Sequence, residues 1–414
     1  MKQLRIAFLV PAFPTISETF IVNQIVELKE RGHQVMIFAF QKNETENVQE
    51  LVKEFRLMES SIFHHLPTSG KPQRYLNFFQ FLIDRRKDVD FKRLFKIFSY
   101  KNFGKKAFNL SYFTRYQWML EQGEFDIIHA HFGQSGAYVA EMKAYGYLKS
   151  AKLITTFHGY DIHPAKLEQY KSVYRDLFAF SDVITCNTPY TFSLLDKLGF
   201  NKPARVLPVD LDTSRFKPAS IRRSKNKFLL LFVGRLVKFK AAQLTVEILN
   251  ILNDRGYTNS ELVIIGEGPE KNKVLELINK YGFQERVLLT GALKQADIIN
   301  FMNKADVFLF PGITDSNGRA ENQGLVIQEA QAMELPVIVS DAGGMKYGML
   351  NGETGFVVKK NDLETFADKV EELINNEALR IEMGKKGRKF VIENYDSKIL
   401  GTQLENIYNT ALTD

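Results

Sequence analysis

Ten apolar runs, each five to eight residues long, constrain this chain more than any other feature. The first five are LRIAFLV (4–10), QVMIFAF (34–40), DIIHA (126–130), KLITTF (152–157) and DVITC (182–186). The second five are KFLLLFVG (227–234), ELVIIG (261–266), RVLLTG (286–291), DVFLFP (306–311) and PVIVS (336–340). They are continuous rather than alternating, so both faces of each strand must be covered, as in a parallel sheet between helices. Helical patterns of about 10–15 residues separate most of them. The expectation is an α/β protein of two doubly wound parallel-sheet domains in tandem.

The rhythm breaks at VLPVDLDTSRFKPASIRRSKNK, where two prolines and a basic run read as a linker over 206–226. The expected division is 1–205, the linker, 227–395, and a terminal helix over 396–414 that crosses back to the first domain. A length of 414 residues suits two cores. The single cysteine, Cys186, excludes an intrachain disulfide and fits a reducing compartment. The N-terminal apolar run is closed by Pro11 and is too short for a signal peptide, and no segment reaches the roughly 20 apolar residues of a membrane span. A formal charge of +7 fits phosphorylated ligands, nucleic acid or an anionic membrane.

ENQGLVIQEA (321–330) carries two acids, Glu321 and Glu329, around Gly324 and a helix expected from Leu325 to Met333. A helix N-terminus favours phosphate, and the loop after DVFLFP lies where doubly wound sheets bind ligands. Acids on either side of a phosphate can hold hydroxyl-bearing groups; two solvated glutamates on an amphipathic helix is the other reading of this stretch alone. In LFVGRLVKFK (231–240), Arg235 and Lys240 follow a strand end and can neutralise a diphosphate. In IIGEGPE (264–270), Gly266 and Gly268 are expected to let a ligand approach the backbone.

In this order, GRLVKFK, GEGPE, ENQGLVIQE, NGETGFVV and the earlier FHGYD (157–161) resemble the retaining GT-B glycosyltransferases of family 4. PAFPTISETFIVNQI (11–25) looks like the subgroup that builds bacterial exopolysaccharides, the colanic-acid type. The resemblance implies two Rossmann-like domains facing a central cleft, the first for the acceptor and the second for a nucleotide-sugar donor. It implies that Arg235 and Lys240 hold the donor diphosphate and that Glu329 takes the ribose hydroxyls. Glu321 binds the transferred sugar with the amides of Asn322, Gln323, Gly324 and Leu325. Gly266 and Leu293 flank the base, and His158 approaches the sugar. Thr15, Ser17, Glu18, His131 and Asp161 fall on the acceptor side, His131 lining the cleft.

Two departures stand out: the first-strand loop reads PAFPTISET without a double glycine, and GGMKY (343–347) lacks the family's proline and acid. The implied chemistry is metal-independent, cofactor-free, retaining transfer of a hexose-type sugar from a nucleotide diphosphate to a sugar or lipid-linked sugar acceptor. A sugar-nucleotide epimerase and a non-catalytic nucleotide-sugar-binding protein are the alternatives, and a nucleic-acid partner is not expected. The Asp-x-Asp pairs at 88–90 and 210–212 are read as coincidental. Residues 71–118 carry twelve Lys or Arg, three acids and nine Phe. In DFKRLFKIF (90–98), Phe91, Leu94, Phe95 and Phe98 are expected on one helical face away from Lys92, Arg93 and Lys96. A cytoplasmic protein, peripheral on the anionic inner face of the membrane, is the expectation.

Overall fold

The structure, a computed structural model, describes residues 2–15, 18–44, 49–200, 204–219 and 227–413. It divides into two compact units. One comprises Met1–Asn187, Thr191–Leu207 and Gly401–Asp414, and the other Thr188–Tyr190 and Pro208–Leu400.

The first unit is built on β1 (Arg5–Phe13), β2 (Gln34–Lys42), β3 (Ser61–Phe63), β4 (Ile127–His131), β5 (Lys152–Phe157), β6 (Val183–Cys186) and β7 (Ala204–Val206). They pair in parallel in the order β3-β2-β1-β4-β5-β6-β7. Ile6, Ala7, Phe8, Leu9 and Val10 in β1 are wholly buried, as expected for a strand covered on both faces. The helix Thr19–Glu30 buries Ile21, Val22, Ile25 and Leu28 against this sheet, a helical spacing. The last helix, Ser397–Thr413, belongs to this unit from Gly401 onward. There Glu405 accepts hydrogen bonds from Arg31 and faces His33, each at 3.1 Å. Gly401 lies where a Cβ would overlap the Glu27 side chain.

The second unit is built on β8 (Phe228–Val233), β9 (Ser260–Ile265), β10 (Val287–Gly291), β11 (Val307–Phe310), β12 (Val337–Ser340) and β13 (Gly355–Val358), all parallel, in the order β10-β9-β8-β11-β12-β13. Leu230, Leu231, Phe232, Phe308, Leu309, Phe310, Val337 and Ile338 are fully buried and form the middle of its core. In each sheet the strand order reverses beside the unit's first strand, between β1 and β4 and between β8 and β11. Ligands of doubly wound sheets lie outside the carboxyl ends at such a switch point.

Both sheets hold strands that the apolar runs did not announce. β3 and β7 have three residues, too few for any periodicity to register, and β13 has four. The 85-residue stretch between the second and third expected strands therefore contains the edge strand β3. In the segment 206–226, Leu211 and Phe216 are buried in the core of the second unit, and 220–226 lie outside the described residues.

Residues 90–98 are not one amphipathic helix. A short helix, Phe91–Leu94, passes into a 3-10 turn, Phe95–Phe98. The tighter turn changes the face, so Leu94 and Ile97 point inward while Phe91 and Phe95 are exposed. The helix Ser111–Leu120 is core, with Phe113, Tyr116 and Trp118 buried and the Trp118 indole donating to Tyr138 Oη at 2.8 Å.

Candidate active site

In the second unit, Gly234, Arg235 and Leu236 continue β8 beyond its end. Gly234 N donates to Ile265 O and Leu236 N to Glu267 O, at 2.9 and 2.8 Å. A Cβ on Gly266 would overlap the Gly234 carbonyl oxygen, and one on Gly268 the Leu236 carbonyl oxygen. These two glycines, at φ +148° and +154°, therefore exist for backbone-on-backbone packing of the two loops. Leu293, after β10, packs against the core.

The chain then makes a single 3-10 turn, Lys238–Lys240, which returns Lys240 toward the strand end. Gly234 leaves space for the lysine stem: a Cβ there would stand 3.3 Å from Lys240 Cδ. The ammonium lies 5.4 Å from the centroid of the Phe310 ring, at the end of β11. It is 2.9 Å from Glu321 Oε2, with both side chains 15% exposed. The contact is ionic by distance, and Oε2 is enclosed there without an aligned hydrogen bond. Arg235 is exposed at the same strand end.

Three arrangements fix the Glu321 loop. Asp315 accepts from the amides of Asn317 and Arg319 and pairs with the Arg319 guanidinium at 3.2 Å. Gly343 and Gly344 pack so closely that a Cβ on either would overlap the carbonyl oxygen of Glu321 or Asn322, and Gly344 N donates to Glu321 O at 3.0 Å. The paired glycines of GGMKY thus clamp the acidic loop without the missing proline and acid. Gln323 is buried, and its amide pairs with both backbone groups of Val209, at 2.7 and 2.9 Å. Asn322 accepts from Thr188 at 2.6 Å.

Gly324, left-handed at φ +68°, opens the helix Leu325–Ala332, whose first amides have no partner within the helix. Glu329 lies one turn along. Burial raises its carboxyl to a pKa of about 7, against the pull of Lys240 and Arg215. Arg215 was not singled out in the sequence because it falls in the segment read as a linker. Gly234, Arg235, Lys240, Glu321, the Leu325 helix end and Glu329 thus share the switch point of one sheet.

The first unit has its own cluster at the carboxyl ends of β4 and β5. His129 and His131, two residues apart on β4, share a face and stack at 4.3 Å. His131 Nδ1 is 3.0 Å from His158 Nε2, and His158 Nδ1 faces the Asn187 amide at 3.2 Å. Burial lowers His129 and His158 to about 3 and takes His131 well below the usual range, so all three rings are neutral at physiological pH. His131 is fully buried. Asp161, 1% exposed, accepts from the amides of Gly133, His158 and Gly159 at 2.8, 3.1 and 2.9 Å. Its carboxylate ties the two strand-end loops together. Thr15 donates to Ala12 O at 3.2 Å, and Glu18 beside it is raised to about 7 by burial. Ser17 lies outside the described residues.

Three acids of the two Asp-x-Asp pairs are engaged by hydrogen bonds of the protein itself. Asp88 accepts from Ser150 N, Asp90 from Arg93 N and Asp212 from Ser214 N.

Two family models match the chain in succession: Glycosyltransferase Family 4 over residues 17–215, and Glycosyl transferases group 1 over 213–390. The chain belongs to glycosyltransferase family 4. Over 98% of its length it is 24% identical to 99% of the putative colanic acid biosynthesis glycosyltransferase WcaL of Escherichia coli (strain K12). Over 49% of its length it is 35% identical to 52% of the capsular polysaccharide biosynthesis glycosyltransferase CapM of Staphylococcus aureus. The crystal structure of Anabaena HepE in complex with UDP superposes with a TM-score of 0.70 at 15% identity, covering 98% of this chain and all of that one. A glycosyltransferase from Rickettsia africae superposes at 0.69, with 20% identity and full coverage of both chains. The fold of this family 4 member is therefore GT-B.

Proposed function

We propose that this protein is a retaining hexosyltransferase of bacterial surface-polysaccharide synthesis, moving a sugar from a nucleotide diphosphate to a sugar or lipid-linked sugar. The observation that carries the reading is the Lys240–Glu321 pair at 2.9 Å, set between the Leu325 helix end and the half-buried Glu329. In that frame Lys240, Arg235 and the helix amides meet the diphosphate, whose charge grows as the glycosidic bond breaks. Glu321 accepts from hydroxyls of the transferred sugar, and Glu329 from those of the ribose. The relatives named for colanic acid and capsular polysaccharide synthesis, and the UDP bound by HepE, support the substrate classes.

In the proposed step the bond from the sugar's anomeric carbon to the phosphate oxygen breaks as the acceptor oxygen bonds to the same face. The departing phosphate oxygen takes the acceptor's proton. This route needs no carboxylate nucleophile, in keeping with the engagement of Asp161 by three amides. His158 enters as a neutral hydrogen-bonding imidazole, and the fixed cations make a metal unnecessary. A lipid-linked acceptor places the reaction at the cytoplasmic leaflet.

The test is incubation of the purified chain with UDP-, GDP- and ADP-sugars and candidate acceptors. Transfer releases nucleoside diphosphate and yields a product whose anomeric proton signal keeps the donor's configuration. An inverted linkage overturns the stereochemical reading. Conversion of donor without nucleotide release shows an epimerase instead.

A further inference from the structure

Among the described residues, eight of the eighteen exposed large apolar side chains fall between positions 66 and 108: Leu66, Leu76, Phe79, Ile83, Phe91, Phe95, Tyr100 and Phe108. Three of them lie on the helix Lys71–Asp84. Leu76, Phe79 and Ile83, at 59%, 58% and 74% exposure, follow i, i+3, i+7 spacing and share one side of that helix. The opposite side is already apolar and engaged: Phe78 is buried, and Phe78 and Phe81 pack on Phe113 at 5.1 and 5.5 Å. A helix that is apolar on both sides is ordinarily surrounded by protein or lipid.

The other exposed aromatics adjoin this helix. Phe108 O accepts the hydroxyl of Tyr75, and Tyr100 stacks on Phe108 at 6.0 Å. Phe95 lies 6.5 Å from Phe98, which packs edge-on against Phe78.

The charge around these side chains is predominantly positive, with Asp84 and Glu121 as exposed acids beside the helix. Lys71, Arg86, Lys87, Lys92, Lys96, Lys101, Lys105 and Lys106 are exposed, and among the described residues none forms an ion pair within this unit. Of the three acids in residues 71–118, Asp88 is buried against Ser150 and Asp90 is paired with Arg93. Asp84 alone is an exposed acid there.

We propose that the outward face of the Lys71–Asp84 helix, with Phe95, Tyr100 and Phe108 beside it, is a docking surface for an anionic lipid bilayer. The apolar side chains enter the interface and the lysines meet the headgroups. A second copy of this chain is a poorer occupant, because its identical patch brings like charges together. The proposal relocates the contact from 90–98 as a unit, whose inward positions Leu94 and Ile97 are taken by the protein itself, to the Lys71–Asp84 helix. It rests on the proposed function only in that a lipid-linked acceptor gives the contact a purpose, and its test does not involve transfer.

Vesicle flotation with the full-length chain tests it, using phosphatidylglycerol mixed with phosphatidylcholine against phosphatidylcholine alone. The wild type should float with the anionic vesicles and stay behind with the neutral ones. The triple variant Leu76→Ser/Phe79→Ser/Ile83→Ser should lose roughly tenfold or more of that partitioning, and Lys101→Glu/Lys105→Glu/Lys106→Glu a similar amount. All six positions are exposed, and unchanged thermal unfolding of each variant excludes misfolding. No flotation of the wild type, or flotation of the serine variant equal to wild type, overturns the proposal. A wild-type dimer in sedimentation that the serine variant abolishes, with no vesicle binding, assigns the face to a second copy instead.

Discussion

Lys240 Nζ lies 2.9 Å from Glu321 Oε2, joining the loop after β8 to the loop after β11 across the switch point of the second sheet. The glutamate holds the ammonium in place while the ring of Phe310 supports it from below.

From that geometry the two glutamates should separate in function. Glu321→Gln keeps an acceptor oxygen but loses its charge; nucleoside diphosphate affinity should change little, while transfer falls by about 10². Glu329→Gln should weaken the free nucleotide by roughly tenfold or more, a charged hydrogen bond being lost. Calorimetry with the nucleotide alone, set beside initial rates, distinguishes them; equal loss of affinity in both variants refutes the division.

Glu329 also predicts a pH dependence. Burial raises its carboxyl from 4.5 to about 7, so the folded chain holds a proton that the unfolded chain releases across that interval. Its contribution to stability is complete below pH 4.5 and is lost as pH rises through 7. Denaturant unfolding at pH 8 should show Glu329→Gln more stable than wild type by about 1–3 kcal/mol, the two converging at pH 4.5. Nucleotide affinity should run the other way, rising through pH 7 in the wild type and flat in the variant.

The glycine clamp can be tested against a neutral glycine. Gly344→Ala must displace the Asn322 carbonyl and with it Glu321; a stability loss of about 1–3 kcal/mol and a large loss of transfer are expected. Gly282 has φ +72° and open space around it. Its alanine variant should lose only about 1 kcal/mol and keep normal rates.

Asp161→Asn leaves one acceptor oxygen for three buried amides. Thermal and denaturant unfolding should show a loss of about 1–3 kcal/mol. If this variant unfolds like wild type yet is inactive, the carboxylate has a chemical role instead of a positional one.

The parts of this protein that were legible in its sequence are those set by local order along the chain. The ten apolar runs mark ten of the thirteen strands among the described residues because central strands are buried on both faces. Arg235 and Lys240 stand out because they closely follow the end of β8, and Glu321 and Glu329 because they share the one short stretch ENQGLVIQE. What escaped depends on partners far away in sequence. Gly266 answers to the Gly234 carbonyl, and Asp161 to Gly133. His131 stands among Phe8, His129 and His158, at 5.2, 4.3 and 5.2 Å between ring centroids. Phe91 and Phe95 follow a regular helical spacing, but the 3-10 turn at Phe95 gives the inward positions to Leu94 and Ile97.

The central claim is that Lys240 and its neighbours bind a nucleotide diphosphate without a metal. Titration calorimetry of UDP, GDP and ADP in excess EDTA tests this most directly. One of the three should bind the wild type, and Lys240→Met, which keeps the stem over Phe310, should weaken it by roughly ten- to a hundredfold. Absence of binding by all three until magnesium or manganese is added, or equal affinity in wild type and Lys240→Met, would contradict it.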